Sequence, residues 1–173
     1  VYTTYKQEHP FTGQIESVQE SGPTGLQRKV TNTWSSSLSD TGRQYPYLSK
    51  TVEELYSGEN SAERLSYIEK ETLSIDEYGN VEILENRVYD HNYELEHKTR
   101  TENTYGAEHS QNWILGRLTN SQVTKTRVKD NISQTRTSAF TYYSGSGFLE
   151  TETIEPNGTD DQWLKTTHLY DDQ

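Results

Sequence analysis

Polar and apolar residues alternate along most of this chain, with Gly, Asn and Pro marking the breaks. In "YELEHKTRTENTY" (93–105) one side collects Tyr93, Leu95, His97, Thr99, Thr101, Asn103 and Tyr105, and the other Glu94, Glu96, Lys98, Arg100, Glu102 and Thr104. A period of two predicts a strand with a charged, solvated face. "VEILENRVYD" (81–90) predicts the strand before it. "RLTNSQVTKTRVKD" (117–130) and "SQTRTSAFTYY" (133–143) predict a hairpin around "KDNIS", and "GFLETETIEP" (147–156) and "QWLKTTHLYDD" (162–172) predict the next around "PNGTDD". Asn-Gly and Asp-Asn supply the positive φ angles that tight turns need.

The first third is less regular. "HPFTGQIESVQ" (9–19) predicts a turn at Pro10 to Gly13 and a short strand. "ESGPTGL" (20–26) reads as a loop, "LQRKVTNTWSSSL" (26–38) as a strand, and "SDTGRQYPYL" (39–48) as a loop again. Residues 49–73 admit two readings. Val52, Leu55 and Tyr56 have helical spacing, and Ser49 is a candidate cap. The same stretch also reads as a hairpin, "KTVEELY" and "ERLSYIEKETLSI" around "SGENS". The hairpin is preferred because its neighbours are β. The expected fold is all-β: a long-stranded antiparallel hairpin meander forming a curved, open sheet. An irregular N-terminal β segment (1–42) would precede a hairpin segment (43–173).

Three stretches align loosely: "YKQEHPFTGQIESV" (5–18), "IDEYGNVEIL" (75–84) and "FTYYSGSGFLETETI" (140–154). Each places aromatics ahead of a Gly and an apolar residue just after it (Ile15, Val81 and Leu149). The glycines at 13, 79 and 147 are spaced 66 and 68 apart. "HLYDD" (168–172) begins a further copy. Such repetition predicts an extended sheet in which each hairpin mainly meets its neighbours. Tyr78, Gly79 and Asn80 then form a hairpin tip.

Composition sharpens this. Leu, Ile, Val and Phe total 31 of 173 residues, about 18%, with a net charge of −11. That alone leans toward disorder. The 13 Tyr and 23 Thr oppose it, since both favour strands. The acidic balance argues against nucleic acid; Lys125, Arg127 and Lys129 share one strand face, where nearby acids should neutralise them. The absence of Cys excludes disulfides and thiolate chemistry. The chain starts at Val1 and contains no Met, so it is expected to be an excerpt or a processed product. No apolar run is long enough to span a membrane.

Candidate chemistry is thin. Of His9, His91, His97, His109 and His168, only His91 and His97 have zinc-site spacing, with five residues between them, and on one strand they would stand about 20 Å apart, so solvated strand histidines are expected. "NGTDD" (157–161) with Glu155 lacks the ordered ligands of a calcium loop. Glu94 with Glu96, and Glu150 with Glu152, suit a charged face better than a hydrolytic pair. No Gly-x-Ser-x-Gly elbow or phosphate loop occurs, and "YSGSG" (143–147) reads as a turn. Asn131 and Asn157 head formal glycosylation sequons. No catalytic residue, cofactor or metal is expected. Trp34, Trp113 and Trp163 suit cross-strand packing, or a surface that binds carbohydrate or protein.

"DEYGNVEIL", the block 113–156 and "TTHLYDDQ" resemble Rhs/YD-repeat proteins, most closely the subgroup joined to virulence-plasmid and insecticidal-toxin-complex B-type regions. Trp113, Leu115, Gly116 and Arg117 match a Trp-x-Leu-Gly-Arg phrase, and Thr151 to Pro156 a Glu-Thr-Ile-Glu-Pro phrase. "RQYPYLSKTVEELYS" (43–57) resembles the segment upstream, so the likeness covers most of 43–173. It also marks Phe140, Tyr142, Gly147, Tyr170 and Asp171 as repeat positions. The Tyr-Asp pair is altered where Gly79 follows Tyr78 and Tyr143 follows Tyr142. The resemblance implies a non-enzymatic piece of a β shell that encloses a toxic C-terminal segment, in a secreted or bacterial surface protein. Its implied partners are neighbouring repeats and a toxin cargo. Open sheet edges add a second copy of the chain as a partner. A glycan- or protein-binding adhesin module is the alternative, and a hydrolase using strand carboxylates the third reading.

Overall fold

The computed structural model describes residues 1–38, 44–57, 63–106, 116–159 and 162–171. They contain eleven strands: β1 (Tyr2–Tyr5), β2 (Ile15–Gly22), β3 (Gly25–Leu38), β4 (Gln44–Tyr56), β5 (Arg64–Ile75), β6 (Val81–Tyr89), β7 (Leu95–Tyr105), β8 (Leu118–Arg127), β9 (Ile132–Tyr142), β10 (Leu149–Ile154) and β11 (Leu164–Thr167). They lie in one sheet in chain order, every neighbouring pair antiparallel. The fold is an all-β meander that does not close into a barrel. Only consecutive strands touch, so the described residues form a single layer with edges at β1 and β11.

The hairpin reading of 49–73 is correct: Lys50 to Tyr56 pair with Glu71 to Arg64. Its "SGENS" turn falls largely outside the described residues. Two loop assignments are corrected. Within 20–26, β2 and β3 run on until Gly22 faces Gly25, leaving only Pro23 and Thr24 between them. Glycines at both ends let the chain reverse so tightly, and Gly25 takes φ 131°. Within 39–48, β4 begins at Gln44 despite Pro46. Pro46 faces Ser36 of β3 at a level that β5 does not pair, so its missing N–H costs no bond on that side.

No hydrophobic side chain is buried among the described residues; those that are buried are Glu69, Glu85, Thr151 and Thr153. Tracing the register places all four on one face. Aliphatic residues such as Val18, Val30, Ile68, Val88 and Val123 lie on the other, half-buried. The expected solvated face of 93–105 holds at Glu94, Glu96 and Thr104, which are exposed, and is corrected between them. Lys98, Arg100 and Glu102 are half-buried within a charged ladder across β4 to β7.

In that ladder Lys50 Nζ lies 2.7 Å from Glu69, and Lys98 Nζ 2.7 Å from Glu85. Arg87 bonds Glu69 and Glu85 and lies 2.9 Å from Glu71. Arg100 is 2.9 Å from Glu102 and 3.6 Å from Glu85. Glu71 faces Glu85, and Arg87 faces Lys98. Like charges directly opposite destabilise a sheet, and the diagonal bonds offset this. Beyond β7 the face changes to hydroxyls: Thr124 bonds Thr135, Thr126 bonds Ser133, and Thr141 bonds Thr151.

Burial pushes the Glu69 carboxyl up, but bonds from Lys50 and Arg87 outweigh it and hold it below its ordinary value. Glu85 likewise meets a burial penalty that Lys98 and Arg87 overcome. Burial also lowers the Arg87 guanidinium, but Glu71, Glu85 and Glu69 more than compensate and raise it. Tyr67, half-buried and bonded to Glu69 at 3.1 Å, is pushed up to about 12, chiefly by its partial burial.

Two carboxyls depressed by folding contribute stability that is present above their ordinary value of 4.5 and lost as pH falls below it. Thermal melts should therefore show a drop in Tm beginning near that pH. Glu85→Gln should cost about 2 kcal/mol at pH 7 and flatten this acid limb, because it leaves half-buried cations without their counter-charge. An unchanged melt with the same acid limb would contradict the ladder's role.

Candidate functional site

Of the residues singled out by sequence, most that are described lie at the hairpin turns along one end of the sheet. At four of these turns a glycine with positive φ is followed, two residues on, by the aliphatic residue that opens a strand. These are Gly13 (84°) before Ile15, Gly79 (86°) before Val81, Gly116 (78°) before Leu118 and Gly147 (75°) before Leu149.

The carbonyl of each aliphatic residue accepts a hydrogen bond from an aromatic side chain arriving by the next strand. Trp34 Nε1 donates to Ile15 O at 2.9 Å, and Tyr105 OH to Val81 O at 2.9 Å. Tyr142 OH donates to Leu118 O at 2.7 Å, and Tyr170 OH to Leu149 O at 3.0 Å. In two copies an Asn two residues earlier reaches the same oxygen: Asn32 Nδ2 to Ile15 at 3.1 Å and Asn103 Nδ2 to Val81 at 2.9 Å. This clasp satisfies a strand-end carbonyl and fixes the hairpin register.

An Asp organises two of the turns in the same way. Asp76 Oδ1 accepts the N–H groups of Tyr78 (2.9 Å) and Asn80 (2.8 Å). Asp90 Oδ1 accepts those of Asn92 (2.8 Å) and Glu94 (2.9 Å). The backbone N–H of Glu94 is the main reason the Asp90 carboxyl sits below its usual range. Tyr93 occupies in the second turn the place of Gly79 in the first, with φ 67°. Its ring takes the Arg64 guanidinium at 3.1 Å from the centroid and lies 5.4 Å from Tyr67, contacts a glycine could not supply.

Tyr78, Gly79 and Asn80 thus form the tip of the β5–β6 hairpin, with Tyr78 exposed. Neighbouring turns touch. The Asn80 amide bonds Asp76 at 2.8 Å and lies so close to Gly116 that a Cβ there would overlap it. The Tyr45 hydroxyl donates to Glu77 O. Arg117 places its guanidinium 5.4 Å from the Tyr142 ring centroid. Phe140 lies on β9 opposite Glu152, on the aliphatic face. Tyr170, beside Asp171, packs on Phe148 (5.0 Å between centroids) and Tyr143 (5.9 Å). Trp113 and Leu115 lie outside the described residues.

The candidate chemical sites stay apart. Among the described residues no group of three or more His, Asp or Glu could hold a metal ion. His91 lies in a turn 3.9 Å from Asp90, and His97 on β7 faces Val88 and Arg127. His109, Asp160 and Asp161 lie outside the described residues. Asn157, Gly158 and Thr159 belong to a turn closed by Gly158 N–H to Glu155 O at 2.8 Å. Glu94 lies in the Asp90 turn, and Glu150 accepts from Thr141 at 3.2 Å. The expected basic face is corrected. β8 ends at Arg127, so Lys129 lies in the turn, and of the three cations only Arg127 has a carboxylate partner among the described residues, Asp130 at 3.0 Å.

Sequence reading marked Tyr142 and Tyr170 as repeat positions and Trp34 for cross-strand packing, but missed the clasp itself and the Asn32 and Asn103 that join it. "VTNTW" and "TENTY" carry their signal, Asn-Thr-aromatic recurring 71 residues apart. No family model matches the chain, and no curated protein matches it.

The clasp predicts graded losses in thermal or urea unfolding. Tyr142→Phe should cost about 1–2 kcal/mol, because no other side chain serves the Leu118 carbonyl among the described residues. Tyr105→Phe should cost less, because Asn103 remains on Val81 O. Gly13→Ala, with open space around it, should cost only its backbone strain of about 1–2 kcal/mol, and Gly116→Ala distinctly more. Equal losses within each pair would contradict this geometry.

Proposed function

We propose that this chain is a non-enzymatic wall segment of an exported Rhs/YD-repeat toxin or surface protein. Its role is to enclose a toxic C-terminal segment within a larger β shell. The observation that carries this reading is a single-layer sheet without one buried hydrophobic side chain among its described residues. A sheet of this kind has no interior of its own, and its natural use is as the boundary of something else. Clasped, Asp-capped turns along a meander support it further, since each hairpin is bolted to the next and the unit can be repeated. The matches at Gly116, Arg117 and Tyr170-Asp171 fall on clasp and turn positions.

Limited proteolysis of the protein made from the full natural reading frame tests this. A protected C-terminal fragment should persist while the shell is intact and be digested once acid or denaturant opens it. A C-terminal segment digested at once in the folded protein would overturn the reading.

One observation favours a second reading, a carbohydrate- or protein-binding module. Phe148 and Tyr170 are about half exposed, 56% and 50%, and with Tyr143, Ser146 and Leu169 they border an open groove of about 840 Å³. Aromatic faces beside hydroxyls suit sugar rings. A glycan array should then show binding that Phe148→Ala removes; no binding by the folded chain would dismiss a glycan ligand.

A further inference from the structure

The two faces of the sheet hold charge in different ways. On the ladder face of β4 to β7 the cations are bonded to carboxylates. On the aliphatic face Lys70 of β5, Asn86 of β6, Thr99 of β7, Lys125 of β8 and Gln134 of β9 pair in succession and form one polar row. An adjacent row carries Ile68, Val88 and Arg127, and the row on the other side carries Leu84, Val123 and Arg136.

From β5 to β9 these three rows contain cations and no carboxylate. Arg127 bonds Asp130 of the following turn at 3.0 Å. Lys70, Lys125 and Arg136 are exposed and have no carboxylate partner among the described residues. The nearest carboxylates on this face, Glu53 and Glu82, are already engaged, by Arg28 and Ser74. In a chain of net charge −11, unpartnered cations gathered over half-buried aliphatic residues invert the local charge. Open hollows of about 280 and 370 Å³ border Lys70 and Lys125.

The spacing of the cations defines what fits. Lys70 and Lys125 lie on β5 and β8, three strand spacings apart, or about 14 Å. An extended peptide covers that distance in about four residues, and residues four apart point the same way. We propose that this face docks an extended acidic peptide whose carboxylates recur every fourth residue, with small aliphatic side chains between them. One carboxylate meets Lys70 and the next meets Lys125. Arg136, a diagonal step from Lys125, draws on the second. The aliphatic side chains rest on the flanking rows. The negative field of the whole chain opposes a polyanion such as nucleic acid, which would also need more cations than this face supplies. The docking uses neither edge of the sheet and does not rest on the shell reading.

Fluorescence anisotropy with a labelled peptide of repeating Glu-Thr-Val-Thr tests this. Exposed ion pairs are individually weak, so binding should be modest and should fall as salt is added. Lys125→Gln should weaken it about threefold, and Lys70→Gln together with Lys125→Gln about tenfold. Both variants should keep the far-ultraviolet circular dichroism spectrum of the parent. Lys165→Gln removes the same charge from an exposed position on the ladder face and should leave binding unchanged. A peptide of the same composition with its glutamates adjacent should bind less well. No saturable binding by the folded chain, an equal loss from Lys165→Gln, or tighter binding of a single-stranded oligonucleotide of the same charge would overturn the proposal.

Discussion

A lone β layer cannot bury side chains against a second layer, and everything else in this structure answers to that constraint. Its strands are held by backbone ladders and by what side chains do across them. At the centre, four cations and four carboxylates interlock over β4 to β7, and Glu85 is only 2% exposed without any element above it. Long neighbouring side chains cover it. The alkyl stems of Lys98, Arg87 and Arg100 supply apolar cover while their charged groups neutralise the carboxylate. The ladder thus combines packing and charge balance in one set of residues. A chain with so few aliphatic residues has few other means of doing so.

The clasps solve a second problem of the same sheet. Long polar strands specify their register weakly, because a slip does not expose a hydrophobic core. A side chain bonded to one particular backbone carbonyl restores that specification. Trp34, Tyr105, Tyr142 and Tyr170 each mark one hairpin in this way. The positive-φ glycine fixes where the strand begins, and the clasp fixes where its partner ends. Turn contacts such as Asn80 against Gly116 join one hairpin to the next.

Much of this was legible in the sequence, and what was not has a physical reason. Period-two alternation in 81–105 and the Gly-Asn tip at 79–80 gave strands and turn directly. The extent of β2 and β3 was hidden because "GPTG" is loop-like in composition, although two glycines suffice for a two-residue reversal. Pro46 was hidden because its tolerance depends on which neighbour pairs at that level. The charged face of β7 was read as solvated because alternation shows which residues share a face and not what lies beside them on the next strand. The clasp acceptors are main-chain oxygens and carry no letter of their own. Tyr93 concealed a turn equivalent to that at Gly79, because its ring contact with Arg64 compensates for a conformation glycine adopts freely.

Amide hydrogen exchange, resolved by residue, tests most directly whether the polar ladder stands in for a core. At pH 7 protection should peak in β5 and β6, around Glu69, Glu85 and Arg87, and fall toward β1 and β11. At pH 3.5 protection factors in β4 to β7 should fall by more than those in β8 to β10, where hydroxyls carry no titrating charge. Uniform protection across all eleven strands, or a centre indifferent to carboxylate protonation, would contradict the account.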